Sequence, residues 1–309
     1  MAKVLVAAAT YRRPKGLARL LDAIEKLETA EDVEVLIADN DAERSEGFTF
    51  CEAVRAGGYR WPLHAIIACD RGIAQARNAL VGYAIDHTDA EFVAMLDDDE
   101  WPSSGWLDAF LRVQRTTGAD ALHGAVLREF DVPPGGWAAR CQGIAPLRDR
   151  TGPIAMIHGT SNVLFTRTCL LGLARPWFDP GFALTGGEDK EFFTRLKRKG
   201  VQFAWADEAA AFAHVPASRA KLGWALTRAY RVGNSDMRVF LKHERRVGMV
   251  LLEMAKVLGS FLLSPVQFAL TAPWPAWRTA ALCRLWRSAG KFAAIAGAHF
   301  NEYATIHGG

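Results

Sequence analysis

The sequence predicts an α/β fold: a mostly parallel sheet flanked by helices, followed by a separate helical C-terminal region. Three observations lead there. Short apolar runs alternate with helix-period segments at βαβ spacing. Several of those runs end on an aspartate. After Pro216 the composition turns basic and strongly apolar, which divides the chain into a body over 1–216 and a tail over 217–309.

Taken in order, "KVLVAAA" from Lys3 is a buried strand, and the turn at Arg13-Pro14 ends it. "GLARLLDAIEKLE" places Leu17, Leu20, Leu21, Ile24 and Leu27 on one helix face. "VEVLIADN" and "HAIIACD" are two further strands, ending at Asp39 and Asp70. "GIAQARNALVGYAI" is a helix and "EFVAMLDDD" a fourth strand. Strands of this kind join by right-handed crossovers, and ligands bind beyond their carboxyl ends. Asp39, Asp70 and Asp97 to Asp99 all fall on that rim.

The stretch from Asp120 to Asn162 reads as irregular, with "DVPPGGW" a loop. "IHGTSNVLFTRTCLLGL" is a strand running into a helix start. "TGGEDKEFFTRLKRKG" is a Gly-rich turn entering a helix whose apolar face is Phe192, Phe193 and Leu196, stopped by Gly200. "VQFAWAD" is a last strand.

From Arg219 a basic amphipathic helix or helix pair is expected, then a Leu-rich segment from Val247 to Trp277. From Ser218 onward there are thirteen Lys/Arg and four Asp/Glu, against 24 and 30 before it. A basic tail on an acidic body suits a polyanion, and its Leu and Trp content favours an anionic membrane surface over nucleic acid. Glu253 and Lys256 lie inside the apolar segment. Each charge costs roughly 2.5–3.5 kcal/mol at mid-bilayer, so an in-plane or re-entrant segment is expected over a clean span. Trp274, Trp277, Trp286, Arg284 and Arg287 suit an interface. The alternative is a helical hairpin packed on the body. Five scattered cysteines without a CxxC read as reduced thiols in the cytoplasm. No secretory leader is expected, because "VLVAAAT" is short and precedes its basic residues.

"FVAMLDDDEWP" puts Asp97, Asp98, Asp99 and Glu100 directly after a buried strand. Such a run alone is usually a solvated turn. Here a rigid strand precedes it and Trp101-Pro102 follows, and other strand-end acids share its rim. That pattern suits a divalent cation, Mg²⁺ or Mn²⁺, holding a diphosphate on hard oxygen ligands.

"VLVAAATYRRPKGLARLL", "VEVLIADND", "RGIAQARNALVGYA", "FVAMLDDDEWP" and "GGEDKEFFTRLKRKG" occur in the order and spacing of family-two glycosyltransferases of the GT-A fold. The resemblance covers about Lys3 to Pro216. "DDDEWP" with "VPASRAKLGWALTRAYRVGNS" also resembles the bacterial exopolysaccharide branch typified by succinoglycan glucosyltransferases. The resemblance implies an inverting transferase that takes one sugar from a UDP-sugar to a polyprenyl-diphosphate-linked or other saccharide acceptor, at the inner face of the cell membrane. It implies that Thr10, Tyr11 and Arg12 line the nucleotide pocket, with Asp70 and Asp98 also in the donor site. Asp39 accepts from uracil and Arg77 sits near base or ribose. Asp99 contacts the metal, and Asp97 the ribose or a metal-bound water. Asp189 is the general base, with Glu188 beside it. The residue-level alternative for both is charge at a helix N-terminus. His214 follows the last strand, where some relatives carry a metal-ligating His; a structural His is the plainer reading. Arg219, Arg228 and Arg231 bind the departing diphosphate or that of a lipid-linked acceptor, or else form a solvated helix face. His158 lines the acceptor site. The Gln-x-x-Arg-Trp motif of processive members is absent, which points to single-sugar addition.

Other functions fit less well. "TYRRPKG" lacks the Gly-rich turn of a dinucleotide fold, and no GK[ST] loop occurs. A sugar-phosphate nucleotidyltransferase is the nearest rival enzyme, with Arg12, Arg13 and Lys15 as its hint. A membrane-docked scaffold is the non-enzymatic alternative, disfavoured by the retained acid motifs.

Overall fold

The computed structural model describes residues 1–183, 185–298 and 300, so the end of the expected tail, 301–309, lies outside the described residues. β1 (Lys3–Thr10) leads into α1 (Pro14–Glu25), where Pro14 occupies a position that needs no N–H donor. β2 (Asp32–Asp39), α2 (Glu46–Ala56), β3 (Leu63–Ile67), α3 (Ile73–His87) and β4 (Phe92–Asp97) continue the alternation. β5 (Glu100–Pro102) and α4 (Trp106–Thr117) follow, then β6 (Ala121–Phe130), β7 (Gly152–Ile154), β8 (Val163–Thr166), α5 (Arg167–Leu171), α6 (Glu188–Arg198) and β9 (Phe203–Val215).

The sheet runs β3-β2-β1-β4-β8-β6-β9-β5, with β7 paired to β9. β1 to β4 are parallel; β8 is inserted antiparallel between β4 and β6, and β6 and β9 are again parallel. Side chains alternate between two apolar layers. Val4, Val6 and Ala8 pack with Leu17, Leu20 and Phe110 on one face. Leu5 and Ala7 pack with Leu80, Phe192 and Phe193 on the other. Both faces are covered, which is why the strands read as unbroken apolar runs.

Three expectations are corrected. The stretch after Asp120 is not irregular throughout: β6 is a ten-residue strand whose first six residues are buried. His123 disguised it, an imidazole that survives there by stacking on Trp205 at 4.9 Å. The last strand continues past Asp207 to Val215, so His214 lies within β9 rather than after it. Helices α2 and α4 are additional; α2 buries only Cys51 fully and has little apolar periodicity to show.

Beyond the sheet, α7 (Leu222–His243) is one helix, and α8 (Val247–Leu270) and α9 (Pro275–Ile295) form a hairpin. A Cβ at Gly233 of α7 would overlap the Arg287 carbonyl, and one at Gly290 of α9 would overlap that of Tyr230. The two backbones therefore touch where they cross. α8 meets α9 along a narrow seam: Val257 and Ser264 are buried, and Lys291 donates to Glu253 at 2.7 Å. Leu251, Leu258, Leu262, Leu263 and Leu270 are exposed on α8. Among the described residues, α8 is the one helix long and apolar enough to cross a membrane.

Candidate active site

The strand ends meet in register. Thr10 is opposite Asp39, and Ala9 is opposite Asp97. A small hollow opens beside Thr10, lined also by Arg12, Arg13, Asp39, Asp41 and Gly47.

The four acids of the turn do not share one direction. Asp98 is 5 % exposed; it accepts from the Thr10 hydroxyl at 2.9 Å and from Arg13 Nη1 at 2.8 Å. Burial pushes its carboxyl up to about 6, with Arg13 opposing. Glu100 is 3 % exposed and accepts from the Asp97 N–H at 3.4 Å; burial raises it well above the ordinary carboxylate range, and Asp97 and Asp99 add to that. Asp97 and Asp99 keep 40 % and 29 % of their side-chain surface in solvent. Asp98 and Glu100 thus brace the turn, and Asp97 and Asp99 present oxygens to the cleft.

Cations from three elements converge on those oxygens. Arg13 and Arg219 approach Asp99 Oδ2 at 3.3 and 3.4 Å. Arg77, on α3, donates to Asp97 Oδ1 at 3.2 Å and to Glu188 Oε1 at 2.5 Å. That guanidinium joins the strand-end acids to the start of α6. Gly186 and Gly187 adopt φ of +72° and +100° there, a left-handed turn that glycine accepts without Cβ strain. Glu188 is 3 % exposed. Burial and then the neighbouring Asp189 push its carboxyl up to about 7 despite Arg77.

Asp189 is only partly buried. Its Oδ1 accepts from the Lys190 N–H at 2.6 Å, and its Oδ2 would lie 3.9 Å from a Cβ at Gly159. It therefore faces the loop carrying His158 and Thr160. Desolvation raises the Asp189 carboxyl, against the lowering charges of Arg77, Arg231 and Arg228. The same loss of water, with Lys190 nearby, lowers the His158 imidazole, which is neutral at pH 7. Glu188 Oε2, Thr160 Oγ1 and Arg219 Nε are buried without a hydrogen-bond partner. Orphaned polar atoms at a cleft are what a polar ligand would satisfy.

The structure brings Asp97, Asp99, Arg77, Glu188, Asp189, Arg219, Arg228, Arg231 and His158 around one cleft. Other expected residues sit differently. Both Asp39 oxygens accept backbone amides at 3.0 Å, Asp41 N–H in the loop after β2 and Phe48 N–H in the first turn of α2, which fixes the connection between them. Arg12 stands at φ +53° with its guanidinium on Asp41 at 2.6 Å. The guanidinium carbons of Arg12 and Arg71 lie 5.0 and 5.2 Å from the centre of the Tyr11 ring. Asp70 is exposed on the loop that Asn40 ties down through the Ala68 and Asp70 carbonyls. His214 gives its Nε2 to Asp131 at 2.7 Å, and no cluster of three His, Cys, Asp or Glu ligands occurs among the described residues. It is not brought into a ligand set with Asp97 and Asp99. Two part-exposed carboxylates still fit Mg²⁺ or Mn²⁺, which take one or two protein oxygens and fill the shell with phosphate and water. Arg71 and Asp41 are additional residues here, signalled by nothing local; Arg13, named from the sequence only as a hint of the nucleotidyltransferase alternative, sits on Asp98 and Asp99.

The sequence profile of the glycosyl transferase family 2 matches residues 6–169. The chain belongs to that family. The glycosyltransferase is also 32 % identical, over 234 residues, to the succinoglycan biosynthesis protein ExoM of Rhizobium meliloti, covering 74 % of this chain and 72 % of that protein. Its fold is GT-A. A mannosyltransferase from Pyrobaculum calidifontis, solved with GDP-Man and Mn²⁺, superposes with a TM-score of 0.57 at 16 % identity, covering 94 % of this chain and 87 % of that one. S. aureus TarS 1-349, solved with UDP, gives 0.53 at 15 % identity, covering 96 % and 92 %. Enzymes of this fold commonly use a divalent metal.

Proposed function

We propose that this glycosyltransferase moves one sugar from a UDP-sugar, with inversion, to a lipid-linked saccharide acceptor in polysaccharide assembly. The observation that carries the reading is the Arg77 bridge. It holds Asp97 and Glu188 in one unit and leaves Asp189, rather than Glu188, facing the acceptor-side loop. Asp189 takes the proton from the acceptor hydroxyl as that oxygen attacks the anomeric carbon. Its raised affinity for a proton suits a base working near neutral pH. Arg219, Arg228 and Arg231 place positive charge where the leaving diphosphate gains negative charge. Mg²⁺ or Mn²⁺, held by Asp99 and Asp97, would supply further neutralisation of that diphosphate. Thr10, Tyr11 and Arg12 border the nucleotide; Asp39 and Asp98 shape that wall from beneath.

The acceptor reading rests on the tail and on the relative in succinoglycan biosynthesis. Glu253, which argued against lipid contact, turns to Lys291 on the packed seam, so α8 offers a broad apolar face marked by the exposed Lys256. Because α9 clasps α8 on one side and α7 on the other, α8 lies in the plane of an anionic cytoplasmic-face membrane, peripheral or re-entrant. The test is transfer or hydrolysis across UDP-, GDP- and dTDP-sugars with Mn²⁺. Asp189→Asn should bind UDP with unchanged affinity and lose turnover by about a hundredfold to ten-thousandfold, the range for one acid–base group. Full turnover in that variant excludes Asp189 as the base.

A further inference from the structure

Asp236 is a buried acid in the middle of α7, directly after the stretch that ends at Ser235. It is 8 % exposed and accepts from two cations. One is Lys190 Nζ, on α6 directly after Asp189. The other is Arg287 of α9, through Nε at 3.1 Å and through Nη2. Burial alone would raise its carboxyl; the charges of Lys190 and Arg287 and their hydrogen bonds hold it below the ordinary range. The same face of α7 holds the turn before α6: Ser235 Oγ donates to the Gly186 carbonyl at 3.1 Å, and Arg238 donates to Thr185 Oγ1 and to the Gly181 carbonyl.

We propose that Asp236 is a positioning residue for transfer: it holds the Lys190 ammonium away from the Asp189 carboxylate, so that the base stays unpaired and able to take a proton. The inference rests on Asp189 being the base. The chemistry is direct. Lys190 follows Asp189 on the first turn of α6, and its side chain is long enough to turn back on the carboxylate. An ammonium paired with that carboxylate would lower its proton affinity and occupy the oxygen that must meet the acceptor. Asp236 offers the ammonium a better seat. Arg287 completes the arrangement from α9, so the C-terminal hairpin supplies part of the base's setting. The other charges facing Asp189 are Arg77 from α3, Arg228 and Arg231 from α7, His158 from the loop before β8, and Glu188 beside it. Of these, His158 also feels the Asp236 charge directly, which favours its protonated form.

The test uses the full chain and the donor that it turns over fastest in the nucleotide-sugar panel. Asp236→Asn should lower the plateau kcat at least tenfold with KM for donor within twofold. The acid limb of its pH profile should move about one unit to lower pH, the smaller end of the effect of one adjacent opposite charge. Lys190→Met, which removes the competing cation, should leave that limb close to its wild-type position, because Asp236 already holds the ammonium off the base. The double variant should behave as Lys190→Met alone. UDP affinity by calorimetry, unchanged in each, separates this from misfolding; if Asp236→Asn does not fold, Asp236→Ser, which also frees the ammonium, makes the same comparison. An unmoved limb in Asp236→Asn, or losses that simply add in the double variant, overturns the proposal. Full turnover in Asp189→Asn would instead overturn the base assignment beneath it, a separate outcome.

Discussion

Replacing Arg77 with Met should make the stability of this enzyme depend on pH in a way the wild type does not. Arg77 and Glu188 keep only 9 % and 4 % of their side-chain surface in solvent. Removing one partner of such a pair ordinarily costs about 3–5 kcal/mol, because a charge is left buried alone. Glu188 has an escape, since its carboxyl already stands near 7 with Arg77 present. Without Arg77 it rises further and takes up a proton. At pH 6 most Glu188 is neutral in either protein, and the loss is that of hydrogen bonds to a neutral acid, about 1–2 kcal/mol. Above pH 7 the wild type releases that proton and the variant retains it. An acid whose folded-state pKa is raised loses its stabilising contribution as pH rises, here by about 1.4 kcal/mol per unit between 7 and the variant's new value. The deficit should therefore widen from about 1–2 kcal/mol at pH 6 toward 3–5 kcal/mol at pH 8.5. Urea unfolding followed by tryptophan fluorescence at four pH values measures it. Adding Glu188→Gln should remove most of the widening. Parallel stability curves for wild type and Arg77→Met from pH 6 to 8.5 would refute the reasoning.

Three further outcomes are expected. His123 is 3 % exposed, and burial lowers its imidazole to about 4. The unfolded chain takes the proton first, so this residue removes about 3 kcal/mol of stability as pH falls from 6.5 to 4; His123→Phe should flatten that part of the curve, and an unchanged slope counts against it. Gly290→Ala adds a methyl that overlaps the Tyr230 carbonyl, and should cost about 1–3 kcal/mol in thermal unfolding; a neutral effect would mean that α7 and α9 do not touch in solution. Leu258→Glu with Leu262→Glu places two charges on the exposed face of α8 and should abolish flotation with anionic vesicles while leaving UDP binding intact; flotation equal to wild type would remove the membrane reading of that helix.

β1, β2 and β4 were legible because each is buried on both faces and stops at an acid or a turn signal; β3, an edge strand with only Leu63 buried, showed as a short apolar run but ends at Ile67, three residues before the expected Asp70. The turn into α6 was legible from its paired glycines. What the sequence concealed has physical causes. β6 carries His123, whose stacking partner Trp205 is a residue of another strand and leaves no local trace. "DDDE" shows four equal acids, but the turn sends alternate side chains in opposite directions, and only the fold reveals that Asp98 and Glu100 face inward. Asp39 looked like a ligand-binding end group; one loop amide and one from the first turn of α2 already claim it. His214 looked like a residue after a strand because the apolar signal faded at Asp207, while the β6 and β5 pairings extend that strand. Asp236 had no signal at all, being an ordinary acid in a basic helix until Lys190 and Arg287 are seen on either side.

The glycine crossing of α7 and α9 sets a fixed height. With backbone against backbone at Gly233 and Gly290, there is no side chain to flip and no gap into which the helices can slide. The greasy arm and the sugar-handling body must then tilt as one piece. Wherever α8 comes to rest, the distance from that resting surface to Asp189 is built in, like the gap of a gauge. On the proposed reading of a lipid-linked acceptor at a membrane surface, one whose sugar chain is a unit too short or too long would present the wrong hydroxyl at that height, so chain length would be selected without any contact to the sugars already in place.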